Sequence, residues 1–142
     1  MVKLMELVSK IKGKKYGGSS LQDGKLYHDL PFSGFKDLSS HRGYTQTRWD
    51  YICKYISVKR RKVLDLGCSV GGFSILSSLS GANKVVGIDY DKDSIELAKY
   101  AAGQLKIKNI EFRCCEIDSK LIEGLEEFDV TIWLSQWMWL VK

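Results

Sequence analysis

The chain has 142 residues, 44% of them hydrophobic and 27% charged, which suits one folded domain and excludes global disorder. Its net charge of +5 is mild and permits a nucleic-acid partner without requiring one. Cys53, Cys68, Cys114 and Cys115 make no Cys-x-x-Cys pair, and His28 and His41 are too few to complete a metal site with them. The thiols read as reduced, which points to the cytoplasm.

Residues 1–56 read as a lead-in and 57–142 as the main domain. From Met1 to Lys15, Leu4, Leu7, Val8 and Ile11 fall between lysines. That is the spacing of a short amphipathic helix, not the unbroken apolar run of a signal peptide. Residues 13–47 are rich in Gly, Ser, Asp and Lys and hold the only proline, Pro31, so they read as loop. Thr45 is expected to cap a helix reaching about Ser57, with Trp49, Ile52, Cys53 and Ile56 on one face. The basic run Lys59-Arg60-Arg61-Lys62 leads into a short apolar strand, Val63–Leu66. Ligands of open parallel sheets bind at the opposite, C-terminal strand ends, so the run reads as a solvated turn.

A helix is expected over Phe73–Ser80, ended by Gly81. The second strand is Lys84–Asp89 and the next helix Ser94–Leu105. Ile110–Cys115 makes a third strand, Leu121–Leu125 a short helix or turn, and Asp129–Leu134 a fourth strand. The longest apolar stretch, 130–141, is too short to span a membrane. Strands alternating with helices imply right-handed crossovers and a parallel sheet.

The chemistry concentrates where the first strand runs into Gly67-Cys68-Ser69-Val70-Gly71-Gly72. Gly67 lets the backbone turn and approach a ligand closely. Gly71 and Gly72 stand where a helix begins, with free N–H groups for an anion. Ser69 occupies the place of the middle glycine of a dinucleotide fingerprint, and Asp65 just before the loop suits a cationic amino group better than a pyrophosphate. Asp89 ends the second strand, about 20 residues after Gly67, where a carboxylate can bind ribose hydroxyls. Tyr90 beside it can lie against a purine.

Val63–Phe73, Val86–Asp89 and Phe128–Ser135 resemble, in order and spacing, the motifs of class I S-adenosylmethionine-dependent methyltransferases. The resemblance covers about 57–142. It implies an α/β, Rossmann-like three-layer αβα fold with parallel strands in the order 3-2-1-4, truncated relative to the family's seven strands. Strand four would then be an open edge, for which truncation is the favoured explanation and cover by a second copy or by another protein the alternatives. It further implies that Asp65, Gly67, Cys68, Ser69 and Gly71 line the methionine moiety and that Asp89 holds the ribose. Glu116, with Asp118 as the alternative, would lie near the adenine amino group. Ile117 would offer its N–H to the ring, and Leu134 would sit beneath the cofactor. Ser69 departs from the family's common glycine. Ser135, Gln136 and Trp137 are candidate acceptor contacts, and no general base is named.

Tyr27-His28-Asp29-Leu30-Pro31, Arg42-Gly43 and Arg48–Ile52 are similar to the lead-in of the branch containing the tRNA wobble-uridine carboxymethyl-transferases. This likeness implies a lead-in covering the cofactor, with Tyr27, His28 and Arg42 nearby, and favours RNA over a small molecule or protein as acceptor. Two other functions remain. One is a non-catalytic cofactor-binding subunit that needs a partner. The other is an NAD-dependent oxidoreductase, which Ser69 and Asp65 argue against.

Overall fold

The structure is a computed structural model that describes residues 2–11, 26–38 and 40–134. Ser135, Gln136 and Trp137 lie outside the described residues, as does the side chain of Arg42. Helix α1 (Val2–Ile11) buries Leu7, Val8 and Ile11 and packs on a later helix, α4 (Lys92–Gln104). At its outer edge Lys10 pairs with Glu96 at 3.5 Å.

The lead-in contains a sheet that the sequence does not announce. Strands β1 (Leu26–His28) and β2 (Ser40–Arg42) pair in parallel, Leu26 opposite Ser40 and His28 opposite Arg42. Each has three residues, too few to display a period. Phe32 and Phe35, buried in the turn between them, fix that turn to the core.

Helix α2 (Thr45–Cys53) is shorter than expected, and Thr45 is not its cap. Tyr44 holds that position in the left-handed conformation, at φ 71°. The buried Thr45 is the first helical residue. Its amide donates to Asp29 Oδ1 at 3.0 Å, and its hydroxyl donates to the same oxygen. A carboxylate 16 residues back thus satisfies a helix-start N–H that a local side chain normally takes. On the expected apolar face, Trp49 is buried and Ile52 half-buried, whereas Cys53 and Ile56 are exposed. The chain turns off the helix there, with the amides of Tyr55 and Ile56 both bonded to the Ile52 carbonyl.

The main sheet comprises β3 (Lys62–Leu66), β4 (Lys84–Asp89), β5 (Ile110–Cys114) and β6 (Val130–Ile132). All neighbours are parallel, in the order β5-β4-β3-β6, which is the expected 3-2-1-4. Leu64 lies opposite Val86 and Thr131, and Gly87 opposite Phe112. Between the strands run α3 (Gly72–Leu79), α4 and α5 (Ser119–Glu123). Helix α4 starts earlier than expected because Asp91 caps it, accepting from the Ser94 amide at 3.1 Å and the Ser94 hydroxyl at 2.6 Å.

Alternation along the strands divides the core. Val63, Val85, Phe112, Val130 and Ile132 join Leu7, Phe35, Trp49 and the apolar sides of α3 and α4 in one cluster. Leu64, Leu66, Val86 and Ile88 face the other way, towards Ile117, Leu121, Leu125 and Phe128. A groove of about 550 Å³ opens on that second face between Leu64, Leu66, Ile122, Phe128 and Trp133. The basic run is a solvated turn: Lys59, Arg60, Arg61 and Lys62 are exposed, and Lys62 Nζ pairs with Glu126 at 3.2 Å.

Candidate cofactor site

Asp65 is the fourth of the five residues of β3, between the buried Leu64 and Leu66. Its side chain points to the α3 face, and Oδ2 accepts the Ser74 hydroxyl at 2.5 Å. Burial pushes this carboxyl up to about 7, the nearby charge of Asp89 adds to the rise, and the Ser74 bond pulls back. The folded value lies above the unfolded one, so the folded state holds the proton longer. The resulting stability is complete below about pH 4 and is lost as pH rises through about 7. The wild-type chain should therefore lose roughly 2–4 kcal/mol more than Asp65→Asn between pH 4 and pH 8. Parallel pH-stability curves for the two proteins would exclude this ionisation.

Past β3 the backbone passes through left-handed conformations at Gly67 (φ 73°), Ser69 (φ 51°) and Gly71 (φ 80°). Serine at 69 therefore keeps the conformation that glycine adopts freely, at a cost of about 1–2 kcal/mol. Three amides hold the loop against the end of β4. Gly67 and Cys68 donate to the Ile88 carbonyl at 2.8 and 3.0 Å, and Ser69 donates to Asp89 Oδ2 at 2.8 Å. Asp89 Oδ1 accepts the Asp91 amide at 2.9 Å. Burial raises the Asp89 carboxyl, and the amides of Asp91 and Ser69 counter it. Burial also pushes the Cys68 thiol well up, aided by the Asp65 and Asp89 charges, so Cys68 is a neutral lining group rather than a thiolate.

Hydrogen bonds thus tie Gly67, Cys68 and Ser69 to the end of β4 at Ile88 and Asp89, while Asp65, bonded to Ser74, feels the Asp89 charge. Tyr90, 61% exposed, lies just beyond, and its carbonyl accepts the Cys114 thiol at 3.5 Å, joining the ends of β4 and β5. After β5, Asp118 caps α5 through the Leu121 amide at 2.7 Å, whereas Glu116 is exposed. Ile117 turns its side chain to the second face and lines the groove there. Leu134 is half-buried against the main cluster. The groove shares Ile117 and Asp118 with these residues.

Gly71 answers to the core. A Cβ there would stand 2.8 Å from the Phe112 ring and 2.9 Å from Ala98 Cβ. Gly87 meets the same ring: its Cβ would lie 2.8 Å from Phe112 and from Ser74 Oγ. Sequence reasoning missed Gly87, Ser74 and Phe112, although glycine inside a strand is itself a signal of close approach. The lead-in packs on the start of α3. A Cβ on Gly72 would meet Thr45 Cγ2 at 3.1 Å and the Asp29 carbonyl at 3.2 Å. His28, beside Tyr27, meets the Phe73 ring edge-on at 6.1 Å, and the Arg48 guanidinium lies 5.1 Å from that ring's centroid.

A parallel sheet in this order, with a left-handed glycine loop after β3 and a carboxylate ending β4, defines a Rossmann-like methyltransferase domain. The methyltransferase-domain family profile matches residues 57–136, and the chain belongs to that family. An uncharacterised protein of Methanocaldococcus jannaschii is 44% identical over 95 residues, 67% of this chain and 34% of its own length. A ubiquinone biosynthesis O-methyltransferase of Neisseria meningitidis is 31% identical over 58% of this chain and 35% of its own. A putative ribosomal RNA large subunit methyltransferase of M. jannaschii is 36% identical over 58% of this chain and 22% of its own. The chain therefore spans about a third or less of these relatives.

Among solved structures, the bifunctional kinase-methyltransferase WbdD superposes with a TM-score of 0.73 at 28% identity, over 97% of this chain and 29% of WbdD. The Trypanosoma brucei PRMT1 enzyme-prozyme complex with AdoHcy gives 0.53 at 26% identity, over 63% of this chain and 28% of that one. The cofactor of this domain is S-adenosylmethionine. The match to WbdD includes the lead-in, and none of these relatives is a wobble-uridine enzyme by name.

Proposed function

We propose that this chain is the donor-binding part of an S-adenosylmethionine-dependent methyltransferase and that its acceptor is RNA. The observation that carries the donor reading is the Asp65–Ser69–Asp89 group. Asp65 is a buried carboxyl whose charge meets no cation among the described residues, and an ammonium group beside it would offset that cost. Asp89 accepts the amides of Ser69 and Asp91, and that of Tyr90 also bears on it; the carboxylate's remaining acceptor capacity is what a ribose hydroxyl would use. In this reading Gly67, Cys68, Ser69 and Gly71 line the methionine portion. Tyr90, Glu116 and Ile117 attend the adenine, and Leu134 supports it from below.

When bound, S-adenosylmethionine supplies an electrophilic methyl carbon; the acceptor's lone pair forms the new bond while the carbon–sulfur bond breaks, leaving a neutral thioether. The chain's residues hold the donor and align it, which is the protein's main contribution to a direct displacement. Two observations support an RNA acceptor: the relative described as a putative ribosomal RNA methyltransferase and the lead-in's similarity to the wobble-uridine branch. A cytoplasmic location fits the reduced cysteines. A second reading, a cofactor-binding subunit completed by a second copy or a partner, draws support from the groove beside β6, whose apolar walls at Leu64, Leu66, Ile122, Phe128 and Trp133 are edged by Asp118 and Glu126.

Calorimetric titration with S-adenosylhomocysteine, with NAD as control, tests the donor reading. Micromolar binding of S-adenosylhomocysteine alone is expected. Binding of NAD alone would overturn the reading in favour of a nicotinamide enzyme.

A further inference from the structure

One flank of α2 carries side chains used neither by the core nor by the donor loop. Arg48 and Tyr51, three residues apart, share one strip of the helix, with Tyr44 at its cap and Tyr55 in the turn that leaves its C-terminal end. Thr45, Trp49 and Ile52, at the adjacent angle, are the ones that pack inward. Tyr44 is 78% exposed, Tyr51 60% and Tyr55 73%. The Tyr51 and Tyr55 rings stand 5.3 Å apart, and the Lys54 ammonium lies 5.7 Å from the Tyr51 centroid. At Arg48 the strip reaches Phe73 in the first turn of α3, the helix that follows the glycine loop.

Two further features single the strip out. Tyr44 is a bulky residue in the left-handed region, a strain that clusters at functional positions, and no burial of its ring offsets it. The strip is also charged in one sense. No acid occurs between Tyr51 and Leu64, while Lys54, Lys59, Arg60 and Arg61 are exposed there. Asp50, the one acid of α2, lies on the opposite flank and accepts from Gln46 at 2.8 Å.

We infer that this strip binds a single-stranded nucleic-acid segment and leads it to the donor loop. The tyrosine rings stack on unpaired bases, and Arg48 and Lys54 meet phosphates. Cations interleaved with exposed aromatic rings match a polyanion that presents planar faces, and a duplex hides those faces. The inference rests on the donor reading and names the acceptor class of the same site.

Fluorescence anisotropy with labelled oligouridylate, oligothymidylate and a short duplex tests it on the full chain. Both single strands should bind more tightly than the duplex, and more weakly as salt rises. The Tyr51→Ala/Tyr55→Ala double variant should weaken single-strand binding by roughly tenfold or more, without lowering the melting temperature or the affinity for S-adenosylhomocysteine. Tighter binding of oligouridylate assigns RNA, and equal binding assigns single strands of either sugar. Absent binding, equal binding of the duplex, or a double variant that binds as wild type overturns the inference. If S-adenosylhomocysteine still binds in those cases, only the strip has failed. If oligonucleotides bind and S-adenosylhomocysteine does not, the strip stands and the donor reading falls.

Discussion

Gly71→Ala should lower the melting temperature by roughly 10 °C. Two costs combine. An alanine at φ 80° loses about 1–2 kcal/mol in the left-handed region. Its Cβ would also stand 2.8 Å from the Phe112 ring and 2.9 Å from Ala98 Cβ, and overpacking of that kind costs about 1–3 kcal/mol. For a domain of this size each kcal/mol is worth about 2–5 °C. Phe112→Leu removes the ring atoms that the new methyl would strike. The double variant should therefore be less destabilised than the two single losses added together. Thermal melts of the four proteins check this; strictly additive losses would show that the ring and the glycine do not meet.

Asp89→Ala should weaken S-adenosylhomocysteine binding by about 1–3 kcal/mol, the scale for losing hydrogen bonds to a charged group. The carboxylate has a second task, because it holds the amides of Ser69 and Asp91. Its removal leaves both donors without that acceptor and loosens the loop, so stability should fall as well. Asp89→Asn helps separate the two effects: it keeps one acceptor oxygen, but its amide group confronts a backbone N–H. Titration well below the melting transition reads the binding loss alone. An unchanged affinity would remove Asp89 from the donor site.

The main sheet was legible because its buried parallel strands are nearly continuous apolar runs, Val63–Leu66 broken only by Asp65 and Val85–Ile88 unbroken by charge, and because Gly67 and Asp89 mark their ends. The loop's role in joining β3 to β4 was not legible, since the Ser69–Asp89 bond depends on a backbone conformation that serine rarely adopts. The Asp91 cap was visible in the sequence, with Ser94 three residues on, and was overlooked in favour of the apolar pattern that starts later. The Asp29–Thr45 bond could not be read, because local capping rules describe neighbours and this carboxylate arrives from a separate strand end. The same holds for Gly87, whose reason lies across the sheet in Phe112. The family was thus readable from short-range order. The surroundings of the site depend on contacts between segments far apart in the sequence.

The two faces of the sheet are unequally covered, and this bears on how its amides exchange with solvent. β4 is bonded on both sides, to β3 and β5, and α3 and α4 cover it. Among the described residues β6 is bonded on one side only, and α5, five residues long, buries none of its own side chains. Opening near β6 and α5 therefore requires little burial to be given up, whereas opening at β4 requires nearly the whole domain to come apart. Deuterium should enter the β6 edge long before the strand that carries Gly87 and Asp89. The loop fastened to β4 would keep its shape through those fluctuations, so the proposed donor site would be held by the slowest-exchanging part of the described chain while its neighbouring edge stays free to move.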